Sequence, residues 1–153
     1  MSNLSELYRE LILDHNKNPR NFGEINEPTK VAEGFNPLCG DKIKLFIKIN
    51  NDVIEDIKFI GTGCAISVAS ASMLTDFTIG KNIKDSLGLY RTVHEMLTGI
   101  APDKENEALE LGKLMALSGV KEYPSRIKCA TLSWHALNEA LTSNVNQSIT
   151  STE

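Results

Sequence analysis

Leu4, Leu7, Tyr8, Leu11 and Ile12 recur at the three-to-four spacing of a single helix face. With Ser2 or Asn3 available as a cap, they predict a helix over residues 3–16. Pro19 and Gly23 in "NKNPRNFG" end that pattern. A short strand is expected in "KVAEGF", residues 30–35. From 42 to 49 the chain alternates strictly, with Ile43, Leu45, Ile47 and Ile49 on one face and Lys42, Lys44, Phe46 and Lys48 on the other. This period of two predicts a half-buried strand, "NND" a turn, and "VIEDIKFI" at 53–60 the returning arm of a hairpin. "GTG" breaks the sheet at Cys64, and the small-residue run after it predicts a closely packed helix ending at Gly80. Two more helices are expected at 82–98 and 104–117, then a loop at 118–128, then a last helix opening at Cys129. The final ten residues, "NVNQSITSTE", are polar and predict a frayed end. The expected organisation is one domain over 1–143 with a flexible tail at 144–153. Strands first and helices later is an α+β order.

Composition narrows the function. At 153 residues the chain suits a single core, and 41% hydrophobic with 24% charged residues is ordinary for a globular protein. A net charge of −4 argues against nucleic-acid binding, which needs a basic face. No apolar run reaches the roughly 18 residues of a membrane span. The first helix has neither the charged region nor the apolar core of a secretory signal, so the expected location is the cytoplasm.

The cysteines bring chemistry into the picture. Cys39, Cys64 and Cys129 are separated by 25 and 65 positions, with no CxxC pair, so only the fold can bring them together. Each falls at an expected element boundary, where loops carry site residues more often than core residues. Cys39 and Asp41 flank Gly40 at the entrance to the first hairpin strand, and Cys64 follows the second strand. In an antiparallel hairpin those positions share one end of the sheet. Cys64 and Cys129 are expected at helix N-termini, where the dipole favours thiolate. Gly61 and Gly63 permit close backbone approach before Cys64. Three thiols and a carboxylate suit tetrahedral Zn²⁺ and come close to what an iron–sulfur cluster takes. Lys42, Arg126 and Lys128 stand near these positions and can offset the negative charge. His15, His94 and His135 lie on helical patterns away from the cysteines and are expected to be packing or surface residues. The small-residue run after Cys64 lacks a phosphate loop's Gly-Lys-Ser/Thr ending and is expected to serve packing.

"NPLCGDKI", "GTGCAISVASASM" and "RIKCATLSWHAL", in that order, with "DHNKNPRNFG" ahead of them, closely resemble the U-type iron–sulfur cluster biogenesis proteins. The resemblance covers most of residues 4–141. It implies an α+β fold, a three-stranded, mainly antiparallel sheet packed against helices. Lys128 stands where the IscU branch usually has histidine, and the interval before Cys129 is longer than in that branch, so the resemblance is to the SufU branch. That branch implies a zinc-dependent sulfur-transfer protein taking persulfide sulfur from a PLP-dependent cysteine desulfurase of the SufS type. Downstream cluster-assembly proteins are further expected partners. Carried over residue by residue, Cys39, Asp41, Cys64 and Cys129 are the expected zinc ligands. Cys39 is the expected persulfide acceptor, carrying a covalent intermediate, and Arg126 the expected supporting residue. The alternative is a scaffold on which an iron–sulfur cluster is built and passed on, with iron or a transient cluster in place of zinc.

Overall fold

A computed structural model describes residues 2–37, 39–98 and 111–151. The first helix pattern forms α1, Ser2–Lys17. Three strands follow: β1 at Lys30–Asn36, β2 at Asp41–Asn50 and β3 at Val53–Thr62. The β2–β3 connection is a two-residue turn with Asn51 at φ 53° and Asp52 at φ 61°. This is the type I′ geometry that matches strand twist and that Asn and Asp tolerate. A bulge where β3 passes Lys48 and Ile49 resets the alternation, so Ile54 and Ile57 both face the core beside Ile43, Leu45, Ile47 and Phe59. Phe46, on the other face, is also buried, with the Lys44 ammonium 5.3 Å from its ring centroid.

The helices α2 (Ala65–Thr78), α3 (Ile83–Leu97) and α4 (Pro124–Thr142) complete the core with a 3₁₀ segment at Gly112–Glu122. Helix α2 packs on β3 and α4 on β1 and β2, while α1 leans on α2 and α3 on α4. The small residues of α2 let α4 come close. Trp134 of α4 is fully buried and donates its indole N–H to Ser70 Oγ at 3.1 Å, and that hydroxyl donates to the Ala130 carbonyl at 2.6 Å. The run after Cys64 is therefore a packing surface, as its composition implied. No described helix is long and apolar enough to cross a membrane.

"DHNKNPRNFG" fastens α1 to α2. Arg20 pairs with Asp14 at 2.6 Å, and its backbone N–H donates to Ser72 Oγ at 2.8 Å. Asn21 Nδ2 donates to Thr75 Oγ1 at 3.1 Å, and Phe22 meets Phe59 edge to face. His15 is buried, its Nδ1 2.7 Å from Ser72 Oγ. Burial, reinforced by the Arg20 charge, pushes its pKa below the ordinary histidine value. The unfolded chain then takes up a proton more readily than the folded one, so this contribution is complete above about pH 6.5 and is lost as pH falls from there through the folded value. The urea midpoint is expected to drop between pH 7 and 5, and to drop less in His15→Gln. Equal slopes for the two proteins would rule this out.

The structure departs from the sequence expectations in three places. Gln147–Ser151, expected as part of a frayed tail over 144–153, forms a fourth strand, β4, parallel to β1, giving the order β3-β2-β1-β4. Its pairing is backbone-driven: Ile149 is 72% exposed, so no buried stripe marks the strand. Lys30 Nζ fixes the approach by donating to the carbonyls of Ser143 and Val145 at 2.6 and 2.9 Å. The helix expected at 104–117 lies partly outside the described residues, and from Gly112 the chain is 3₁₀ and continues through the expected loop to Glu122. Finally, α4 begins at Pro124, because proline at the first helical position starts a helix rather than breaking one. Cys129 therefore lies inside α4 and not at its N-terminus, so no helix-end dipole argument applies to it.

Candidate metal centre

The last residue of β1 and the first of β2 pair in register, Asn36 with Asp41, and the turn between them is closed by the Gly40 N–H on the Asn36 carbonyl at 2.8 Å. Gly40 has φ +72°, a conformation glycine adopts without strain. This turn puts Cys39 outside, exposed, and Asp41 inside, at 0% exposure. At the same sheet end β3 finishes at Thr62, opposite Lys42, and the chain passes through Gly63 to Cys64. Cys64 is the N-cap of α2, at φ −72° and ψ 166°. Its backbone N–H donates to Asp41 Oδ1 at 2.9 Å, so the carboxylate, rather than the cysteine side chain, caps this helix end. Helix α4 then brings Arg126 and Cys129 to the same place.

The donor atoms of Cys39, Asp41 and Cys129 lie within 4.8 Å of one another, the one such convergence of potential metal ligands among the described residues. Cys129 Sγ is 3.5 Å from Cys39 Sγ. Two thiolates on a tetrahedral zinc, with bonds near 2.3 Å, sit roughly 3.8 Å apart, so little adjustment is needed. The Cys64 thiol lies outside that triad, and the residue joins the group through its backbone N–H on Asp41. The structure thus brings together Cys39, Asp41 and Cys129, with Cys64 joined to Asp41 through its backbone and Arg126 exposed in the first turn of α4.

The electrostatics favour a cation at this point. Burial drives the Cys129 thiol far up from its ordinary pKa, and hydrogen bonds with Asp41, Cys39 and Cys64 push it further. Arg126 is held in its charged form by Cys129 and then Cys64, but it is exposed at the rim. A divalent ion held here would displace the thiol protons and add to the single positive charge that Arg126 supplies at the rim. Soft thiolates with one carboxylate fit zinc or iron better than magnesium or calcium.

The other candidate cations and the histidines go elsewhere. Lys42 Nζ stands 5.3 Å over the Phe35 ring. Lys128 lines a cavity of about 340 Å³ together with His94 and His135. His135 Nδ1 is 3.1 Å from the Tyr90 hydroxyl, and none of the three histidines joins the thiols. Sequence reasoning missed Asn36. It is fully buried, and its Nδ2 lies 3.3 Å from Asp41 Oδ2 and 3.6 Å from Cys129 Sγ. An asparagine closing a short strand reads as a turn former, and only the register with Asp41 reveals it.

Residues 7–130 match the family described as NifU-like N-terminal domain. The chain is 46% identical over 140 residues to the zinc-dependent sulfurtransferase SufU of Bacillus subtilis, covering 92% of each chain. It is 44% identical over 147 residues to the iron–sulfur cluster assembly scaffold protein IscU of Streptococcus pyogenes, covering 95% of this chain and 89% of that one. A crystal structure from Fervidobacterium islandicum, of a candidate iron–sulfur cluster assembly scaffold for the SUF system, superposes with a TM-score of 0.81 at 38% identity. The match spans 87% of this chain and 95% of that one.

Proposed function

The chain belongs to the NifU-like N-terminal domain family, and on that premise we propose that it is a zinc-dependent sulfurtransferase of iron–sulfur cluster biogenesis. In this reading it accepts persulfide sulfur on Cys39 from a cysteine desulfurase of the SufS type. The observation that carries it is the asymmetry of the site: Cys39 is exposed on a turn while Asp41 and Cys129 are buried beneath it. The similarity to a zinc-dependent sulfurtransferase over 92% of the chain supports the same reading.

Cys39, Asp41, Cys64 and Cys129 would hold the zinc. When bound, the ion keeps the thiols deprotonated at neutral pH, and being redox-inactive it does not oxidise sulfur. The chain's own residues do the rest. The Cys39 thiolate, facing solvent, attacks the outer sulfur of the desulfurase persulfide. A new S–S bond forms on Cys39 as the old one breaks, and the desulfurase cysteine leaves as thiolate, so the exchange needs no external oxidant. Arg126 at the rim offers a guanidinium to the negative charge shared between the exchanging sulfurs. Asp41 and Cys129, buried below, would keep their places while the exposed Cys39 thiolate exchanges.

Alanine formation by a SufS-type desulfurase supplied with cysteine tests this. Increasing amounts of the zinc-loaded protein are expected to stimulate it saturably. No response from an active desulfurase would overturn the reading and favour the scaffold alternative. The IscU relatives named as scaffolds motivate that alternative, and its mark would be visible absorption retained after anaerobic reconstitution with iron and sulfide.

A further inference from the structure

We propose that Asn36 is a positioning residue that locks Asp41 and Cys129 as the fixed part of the centre and leaves Cys39 as its exchangeable thiol. This deepens, and rests on, the metal-centre reading above. The Asn36 side chain is fully buried at the end of β1. Its amide nitrogen faces two acceptors, Asp41 Oδ2 at 3.3 Å and Cys129 Sγ at 3.6 Å, one for each of its N–H groups. Its carbonyl oxygen, Oδ1, is buried with no hydrogen-bond partner. A neutral amide free to choose would not leave a buried acceptor unpaired. Turning it over would press Oδ1 against a carboxylate and a sulfur, so the two acceptors impose the orientation.

The restraint is selective. Asp41 is held at both oxygens, Oδ2 by Asn36 and Oδ1 by the Cys64 N–H at 2.9 Å. Cys129 is held by Asn36 and by its place in α4. Cys39 receives no hydrogen bond from Asn36, and its thiol meets the group at the Cys129 sulfur, 3.5 Å away. An N–H pointed at a thiolate withdraws electron density from it, which makes Cys129 the poorer nucleophile of the two.

Zinc affinity by chelator competition and the absorption of the Co²⁺-loaded protein test this in the wild type, Asn36→Ala, Asn36→Asp and Cys129→Ser. Asn36→Ala is expected to bind zinc roughly ten- to a hundredfold more weakly, the range for losing a group that orients ligands. Its thiolate-to-cobalt band should move to lower energy as the sulfur loses its N–H. Asn36→Asp, nearly the same shape but without the N–H groups, should bind more weakly still. A residue that merely fills space would give the opposite order, Asp closer to wild type than Ala. In zinc-loaded protein treated with iodoacetamide, Cys39 should be modified alone in the wild type and together with Cys129 in Asn36→Ala. Wild-type affinity and an unshifted band in Asn36→Ala would overturn this inference while leaving the metal centre standing. A wild type that takes up no metal, or Cys129→Ser binding it equally well, would overturn the metal centre and this inference with it.

Discussion

Cys39→Ser is expected to lower stimulation of a cysteine desulfurase by roughly a hundredfold or more, with the fold left intact. A hydroxyl at this position has no accessible anion at neutral pH and cannot retain sulfur as a stable persulfide, so the covalent step has no acceptor. The thiol is exposed, and exposed substitutions usually change stability by no more than about 0.5 kcal/mol. The apo protein should therefore melt close to wild type. Mass spectrometry after incubation with desulfurase and cysteine should show one added sulfur on the wild type and none on the variant. Stimulation undiminished in Cys39→Ser, or the added sulfur found on Cys64 or Cys129, would move the acceptor role to another residue. Cys129→Ser behaves differently in this account: it alters a fully buried side chain, so stability and metal binding should fall together.

Gly63→Ala is expected to remove metal binding and to destabilise the fold by about 3 kcal/mol, lowering the melting temperature by roughly 10 °C. Gly63 has φ +155°, a region that L side chains rarely adopt. A Cβ there would collide with Asp41 Oδ1 and stand 2.6 Å from Ser67 Oγ. Both obstacles are tied down, the carboxylate by the Cys64 N–H and the serine hydroxyl by the Cys64 carbonyl at 3.1 Å. The methyl group must therefore displace the Asp41 carboxylate or pull the start of α2 away from the sheet, and either breaks the centre. Thermal melting with zinc titration checks it; a variant that melts and binds as wild type does would show that this close approach is not required.

Much of this was legible before any coordinates. The alternation from Ile43 to Ile49 gave β2, and the Asn-Asn-Asp turn signal gave the hairpin, because a half-buried strand and a left-handed turn both constrain residue type strongly. Cys39, Asp41 and Cys64 could be placed at one sheet end by hairpin geometry alone. Cys129 is different. Its arrival beside them depends on α4 crossing β1 and β2, a long-range packing arrangement with no local signature, so the sequence grouped it with the others only by an expected helix-start position that the structure does not show and by the family resemblance. Tyr123-Pro124 misled because a proline that breaks a helix and one that starts it look alike in sequence. β4 was missed for a related reason: a polar edge segment held through its backbone leaves little hydrophobic pattern. The NifU-like relationship fits this α+β architecture, with four strands in place of the expected three.

The turn that carries Cys39 is clipped at both ends, by the register of Asn36 with Asp41 and by the Gly40 N–H on the Asn36 carbonyl. Cys39 stands two residues from Asp41, and two residues of extended backbone span at most about 7 Å. The thiol therefore samples a small volume just above the buried donors and cannot travel out to meet a distant sulfur. The distance has to be closed from the other side. On the proposed reading, a sulfur donor suited to this protein would bring its persulfide to the turn, on a mobile segment or in a hollow deep enough to receive the tip. Once the two were apart, the short tether would keep a sulfur-bearing Cys39 close to the protein surface.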